Sequence, residues 1–464
     1  MKKSRLEELL EHFNPKESKK LRKFLCSPFF NQQQSLVRLY DYCVAQKGKQ
    51  LDKEATYKAI FPDKKFKESD LRLQKSYLYR LIEKFIAYAQ IEIDDFLVLQ
   101  KTVEGFQQRN LSEFALRNLK KARDFKEKQA LRDADYYNHL HQLNLTQYTY
   151  EINFKPTEQQ DTLAFKELDI AYYITKLKLA CFLLSQQTTY QSAYDLSNMK
   201  PVLEQIKAQN LLVIPNLATF YYCYLTLIEP TVDTHFENFN KLLLHNSPLF
   251  SQKENGNLYL LAINYCIKQI NQSNTAFYKK TLDLYKAGLL NQALLENGIL
   301  SRFVYQNIVT SGMRVGELQW TRQFLIAYKE TVEKDFRESA FRFNMARLAY
   351  HEKNYEEAMD LLRDTDQADL LINLYAKNLL LKIYYELGEF KLLDSFLDAF
   401  QIYLRRKKGI ASHKKNYWNM IYYTQKLMKV NPFNAVAKDK LKAKIEAEPV
   451  LLERPWLLEQ LSKC

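Results

Sequence analysis

The densest set of chemically able side chains is the run LRRKKGIASHKK at 404–415. It carries Arg405, Arg406, Lys407, Lys408, Lys414 and Lys415. Such a cluster can hold nucleic acid, an anionic lipid surface or an acidic protein, because cations there displace the counterions of a polyanion. It can equally be a basic turn left in water, and no RNA-binding signature accompanies it. Groups for acid–base or covalent chemistry are spread thin. The motif H-E-x-x-H is absent, since YHEKNY at 350–355 lacks the second His, and His139 and His141, two apart, leave a helix on different sides. Glu356, Glu357 and Asp360 lie beside Arg363 as solvated pairs do. The six cysteines include no C-x-x-C and read as buried, reduced thiols. These patterns predict no metal, no cofactor and no catalysis. A triad assembled from distant residues would leave no trace in local spacing.

The elements that position these groups follow from composition. Only nine of 464 residues are Gly, about 2%, against an average of roughly 7%. Phosphate-cradling loops and tight strand–helix turns need Gly, which alone adopts positive φ cheaply. The fingerprints G-x-G-x-x-G, G-x-x-x-x-G-K-[ST] and G-x-S-x-G are missing. Leu, Lys, Glu, Gln and Ala dominate, and these lose little rotamer freedom in a helix. The expected class is all-α. No signal-peptide core opens the chain and no window approaches 18 uncharged apolar residues, so a cytoplasmic protein without a membrane span is expected. The net charge of +14 is uneven, with +9 in residues 1–90 and again in 401–464.

Helical periodicity runs the length of the chain. Residues 1–100 read as four or five helices, one beginning just after Pro15 and a long one near Ser69–Asp70. The corner SPFFN at 27–31 is expected to be plugged by Phe29 and Phe30. Helix pairs follow from about 104 to 300, including 217–229 with 233–246 and 256–271 with 275–287. After 300 the pattern repeats. Leu318 in VGELQWTRQFL, Tyr355 in KNYEEAMDLL and Phe390 in LGEFKLLDSFL each follow a turn, 37 and 35 residues apart. This resembles the tetratricopeptide repeat, whose period is about 34. The likeness is clearest at 337–404, with a weaker unit at 300–336. Ala346 and Ala358 match the family's small positions. The next unit departs, with Leu381 and Leu393 there, and Arg342 and Lys377 stand where the consensus has Trp.

The resemblance implies an elongated right-handed superhelix of stacked helical hairpins. Four regions are expected: a basic N-terminal helical domain at 1–100, degenerate hairpins at 101–298, tetratricopeptide-like repeats at 299–404 and basic helices at 405–464. It also implies a concave surface lined by first helices. Carrying over the family's groove positions gives Gln306 and Asn307, then Phe343, Asn344, Arg347 and Tyr350, then Tyr375, Asn378, Lys382 and Tyr385. Asn beside Arg or Lys could hold a peptide backbone or a carboxylate. Helix exteriors also carry such residues with no ligand.

A second likeness lies in residues 51–86, which are weakly similar to the winged-helix segment of bacterial activators that also carry such repeats. It implies that Arg72, Lys75, Ser76 and Tyr79 face a major groove, with Lys64, Lys65 and Lys67 on phosphates. No wing hairpin follows, since AYAQIEIDDFLVLQ is acidic and helical in pattern. An N-terminal helical cap is the favoured reading. The function expected is a non-catalytic scaffold that binds a protein or peptide. The alternative is a nucleic-acid-binding regulator using 51–90 and the 405–415 patch.

Overall fold

A computed structural model describes residues 4–48, 51–154, 163–190, 194–363, 370–406 and 411–464. Among the described residues the chain is all-α apart from one two-residue-stranded hairpin. It divides into two compact units, residues 1–130 with 135–169, and residues 131–134 with 170–464.

The first unit holds α1 (Arg5–Glu11), α2 (Pro15–Cys26), α3 (Gln34–Ala45), α4 (Lys53–Ile60), α5 (Glu68–Ile93), α6 (Asp95–Gln107), α7 (Ser112–Glu127) and α8 (Ala134–Phe154). Helix α2 starts at Pro15, as its sequence predicts. Asn14 and Glu17 form a reciprocal capping box that satisfies two orphan N–H groups. Leu21, Leu25, Leu39, Leu78 and Ile82 are fully buried where α2, α3 and α5 meet. Phe30 stacks on Phe24 with ring centroids 4.0 Å apart, but Phe29 is 87% exposed, so one ring plugs the corner and not two. The segment 85–107 is helical, in α5 and then α6, with Asp94 capping the second. No wing occurs there.

The unit boundary falls within α9 (Leu163–Tyr190). The second unit continues with α10 (Met199–Ala208), α11 (Pro215–Ile228), α12 (Asp233–Asn246), α13 (Gln252–Asn271) and α14 (Phe277–Leu290). The strands β1 (Leu295–Glu296) and β2 (Ile299–Leu300) pair antiparallel around Asn297 and Gly298, both at positive φ. That is the two-residue turn whose twist suits a hairpin. Then come α15 (Arg302–Val315), α16 (Leu318–Ala327), α17 (Arg337–His351), α18 (Tyr355–Leu362), α19 (Leu370–Glu386) and α20 (Phe390–Arg406). The unit ends with α21 (Ala411–Lys429), α22 (Ala435–Ala447) and α23 (Arg454–Lys463).

Leu318, Tyr355 and Phe390 are the first residues of α16, α18 and α20. The turns before them share one geometry. Gly316, Lys353 and Gly388 all have positive φ, and the next N–H returns to the carbonyl of Gly312, Ala349 or Tyr384 at 2.8–3.0 Å. This left-handed closure satisfies carbonyls that the helix end leaves open. Within the stack α15 packs on α16 and α17, α17 on α18 and α19, and α19 on α20. Where the consensus has Trp, Arg342 instead donates to the carbonyls of Asp360 and Leu361, both at 3.1 Å, and so caps the end of α18.

Close approach within a hairpin is set by small residues. Ala346 and Ala358 are fully buried in their unit. In the unit before, Gly312 faces Thr321, and a Cβ at 312 would overlap Thr321 Oγ1 and crowd its Cβ at 3.3 Å. Thr321 cannot simply rotate away, because its hydroxyl donates to the Glu317 carbonyl at 2.7 Å. Gly312→Ala is therefore expected to destabilise the protein by about 1–3 kcal/mol. Adding Thr321→Ala should recover part of that loss. Urea unfolding of the two single variants and the double variant measures the coupling, and strictly additive losses would contradict this packing.

Candidate functional site

The first helices α15, α17 and α19 lay one face each along a shared cavity of about 360 Å³. Residues three, four and seven apart share a helix face, and the lining follows that rule. Gln306, Thr310 and Met313 come from α15, Phe343, Arg347 and Tyr350 from α17, and Tyr375, Asn378, Leu379 and Lys382 from α19. Arg314 and His351 follow Met313 and Tyr350 in the first two rows, and Leu452 and Glu453, just before α23, complete the lining.

Seven residues carried over from the repeat resemblance meet here: Gln306, Phe343, Arg347, Tyr350, Tyr375, Asn378 and Lys382. Three do not line the cavity. Asn344 is buried behind it. Its Nδ2 donates to the Ala340 carbonyl at 2.8 Å and its Oδ1 accepts from Arg347 Nη1 at 3.0 Å, so it aims the guanidinium. Asn307 is outside the lining, its carbonyl accepting from Ser311 Oγ at 3.0 Å, and Tyr385 packs edge-on against Trp456 in the core beside α23.

The cations of the cavity differ in their partners. Lys382 is 11% exposed, pairs with Glu453 Oε2 at 3.0 Å and lies over the Tyr350 ring at 4.9 Å. Asn378 Nδ2 faces the same carboxylate at 3.4 Å. A carboxylate on an Asn–Lys pair is the chemistry expected of this groove, and the chain supplies one itself from 71 residues further on. Among the described residues Arg347 donates to neutral acceptors alone, Asn344 Oδ1 and Thr310 Oγ1, the latter at 2.9 Å. Burial pulls its guanidinium down to about 10; the Glu453 carboxylate opposes that and the Arg314 charge adds to it. Local spacing could have found Thr310, Met313 and Arg314, which continue the row begun at Gln306. Nothing local points to Glu453.

The wall is anchored by Glu386. Its carboxylate accepts from Tyr350, from Tyr355 at 2.5 Å, from Trp456 Nε1 at 2.7 Å and from Lys353 Nζ at 3.0 Å. Burial pushes its pKa up, but the hydrogen bonds from Tyr350, Tyr355, Trp456 and Lys353 outweigh that and hold it down at about 2. Burial, then the hydrogen bond to Glu386, pushes both tyrosine hydroxyls up, so they stay protonated donors.

The nucleic-acid candidates sit differently. Lys75 is turned inward, 21% exposed, and pairs with Glu7 at 3.3 Å. Tyr79 is half-buried against the core of the first unit. Arg72 is exposed but pairs with Glu68 at 3.0 Å, and Lys64 lies over the Phe61 ring at 4.8 Å. Lys75 and Tyr79 therefore do not face outward with Arg72, because the helix turns that side toward α1. Arg405 lies over the Trp418 ring at 5.5 Å and Arg406 is exposed. Lys407 and Lys408 lie outside the described residues. Among the described residues no cluster of His, Cys, Asp and Glu could hold a metal, and no helix is long and apolar enough to cross a membrane. No family model matches the chain, and neither curated proteins nor solved structures give a match.

Glu386 generates a pH prediction. Its folded pKa lies below the ordinary carboxyl value, so its contribution is complete above that value and drains as pH falls toward 2. The side chain is 9% exposed, and the shift corresponds to about 3 kcal/mol at neutral pH. Glu386→Gln, an isostere of the protonated acid, should cost on the order of 2–3 kcal/mol at pH 7. The gap to wild type should close as the pH drops below about 4. Denaturant titrations across that range check both the size and the direction.

Proposed function

We propose that this chain is a non-catalytic scaffold, tetratricopeptide-like over residues 299–404, that captures a protein or peptide segment on the face shared by α15, α17 and α19. The observation that carries this reading is the convergence of Gln306, Phe343, Arg347, Tyr350, Tyr375, Asn378 and Lys382 from three successive first helices on one cavity. Its polar groups are fixed before any ligand arrives. Asn344 and Thr310 hold Arg347, Glu453 holds Lys382, and Phe343 stacks on Tyr375 with centroids 5.9 Å apart. Side chains already ordered lose little entropy on binding. Aromatic rings beside fixed donors suit a peptide, which brings both apolar side chains and a polar backbone.

The nucleic-acid reading draws less support, since Lys75, Arg72 and Lys64 are already engaged within the chain. The test is to fill the cavity. Thr310→Trp is expected to abolish binding of a fluorescent random-peptide library, read by anisotropy, with the helical circular-dichroism spectrum retained. Undiminished binding by that variant overturns the proposal. So does retention of duplex DNA at low salt with no peptide bound, weakening with salt at a log–log slope of about −0.9 per neutralised phosphate.

A further inference from the structure

One position in the cavity has the chemistry of a ligand site and no occupant among the described residues. Three cations border the space: Lys382, Arg347 and Arg314. Glu453 is the single carboxylate among the lining residues, and its hydrogen bonds go to Lys382 and Asn378. Arg347 therefore lines the cavity with two neutral acceptors bound, and among the described residues the rest of its five-donor fork is unspent. Arg314, exposed at the end of the α15 row, has no ion pair among the described residues and lies near enough to repel it. The Glu453 carboxylate offsets that repulsion without bonding Arg347, since its hydrogen bonds go to Lys382 and Asn378, and an anion seated on the guanidinium offsets it further.

The second observation is Asn378. With its Nδ2 turned to Glu453, its Oδ1 is buried and has no hydrogen-bond donor among the described residues. A buried acceptor left unmet costs about 1–3 kcal/mol, and a ligand with an N–H group removes that cost. The site thus asks for an anion and a donor together. An inorganic anion brings chiefly acceptors, and an apolar peptide segment brings the backbone donor without the anion. A peptide with an acidic side chain brings both. Glu453 is itself a carboxylate carried on a polypeptide, seated against the same cluster.

Resting on the peptide-binding reading above, we infer that the cavity takes an Asp or Glu side chain of a partner peptide on Arg347 and Arg314, while a backbone N–H of that peptide donates to Asn378 Oδ1. Arg347 is the recognising group, Arg314 adds charge at the mouth, and Asn344 positions Arg347 from behind.

The experiment is an array of synthetic random octapeptides probed with the full-length protein. Parallel spots replace each Asp and Glu by Asn and Gln, or by phosphoserine. Acid-bearing spots are expected to bind at least about tenfold more strongly than their amide counterparts, the equivalent of one charge-assisted hydrogen bond. Arg347→Gln should erase that preference and Arg347→Lys keep part of it. Arg314→Gln, at an exposed position where folding is not at stake, should reduce it. Equal binding of acid and amide spots, or an undiminished preference in Arg314→Gln, overturns the carboxylate position and leaves the scaffold reading standing. Stronger binding of the phosphoserine spots overturns the choice of carboxylate in favour of a phosphopeptide. Failure to bind any peptide overturns both readings.

Discussion

A single carboxylate holds together the parts of the second unit that make the cavity. Glu386, at the end of α19, accepts hydrogen bonds from Tyr350 in α17, Lys353 in the following turn, Tyr355 in α18 and Trp456 in α23. Withdrawing a carboxylate from water is costly unless its lone pairs are met, and here four donors meet them. Each donor comes from a different piece of chain, so the geometry that satisfies the charge also fixes the register of α17, α18, α19 and α23. Hydrophobic burial alone would tolerate sliding of Leu and Tyr past one another. The oxygens of Glu386 do not.

The repeat pattern and this anchor meet at Lys353. The equivalent turn positions are Gly316 and Gly388, the residue type that occupies the left-handed region most easily. Lys353 takes the same backbone shape without that freedom, and its ammonium sits on Glu386 Oε2. Local backbone strain is thus offset by a tertiary contact, as expected where surrounding structure dictates conformation. The phrase HEKNYEEAMDLL is legible as a helix–turn–helix because turn, phase residue and small Ala358 follow in order. The reason for Lys in it is legible only in three dimensions.

The same division runs through the cavity. Rows such as Phe343, Arg347 and Tyr350 follow from helical spacing once the phase is set, and the phase could be read from Leu318, Tyr355 and Phe390. Asn344, one residue out of phase, turns instead to the Ala340 carbonyl and to Arg347. Lys75 looks presented on a helical wheel, yet α1 brings Glu7 against it from 68 residues away, a pairing no local pattern encodes. The hairpin at 295–300 is a different case. Asn297-Gly298 is a strong turn signal, but four strand residues inside a helical chain give no periodicity to read. Glu453 depends on α21 to α23 folding back, and its neighbours PWLLEQL resemble any amphipathic helix.

That return of the chain also determines what kind of surface remains. Trp456, Leu457 and Leu461 are buried in the same core as Leu393, Leu397 and Ile421. Glu453 is therefore tied to a helix that is part of the fold, and its carboxylate is a fixed element of the wall. A tethered segment resting on the groove through polar contacts alone would leave those apolar side chains in water. The Glu453–Lys382 pair neutralises one cation of the cavity, and Asn378, turned to the same carboxylate, has no donor to its Oδ1 among the described residues. In the proposal made above, a groove that would otherwise attract any anion is narrowed to Arg347 and Arg314, beside the Asn378 acceptor. On that peptide-binding reading, specificity would come as much from the charge the chain has already neutralised as from the charge it has left.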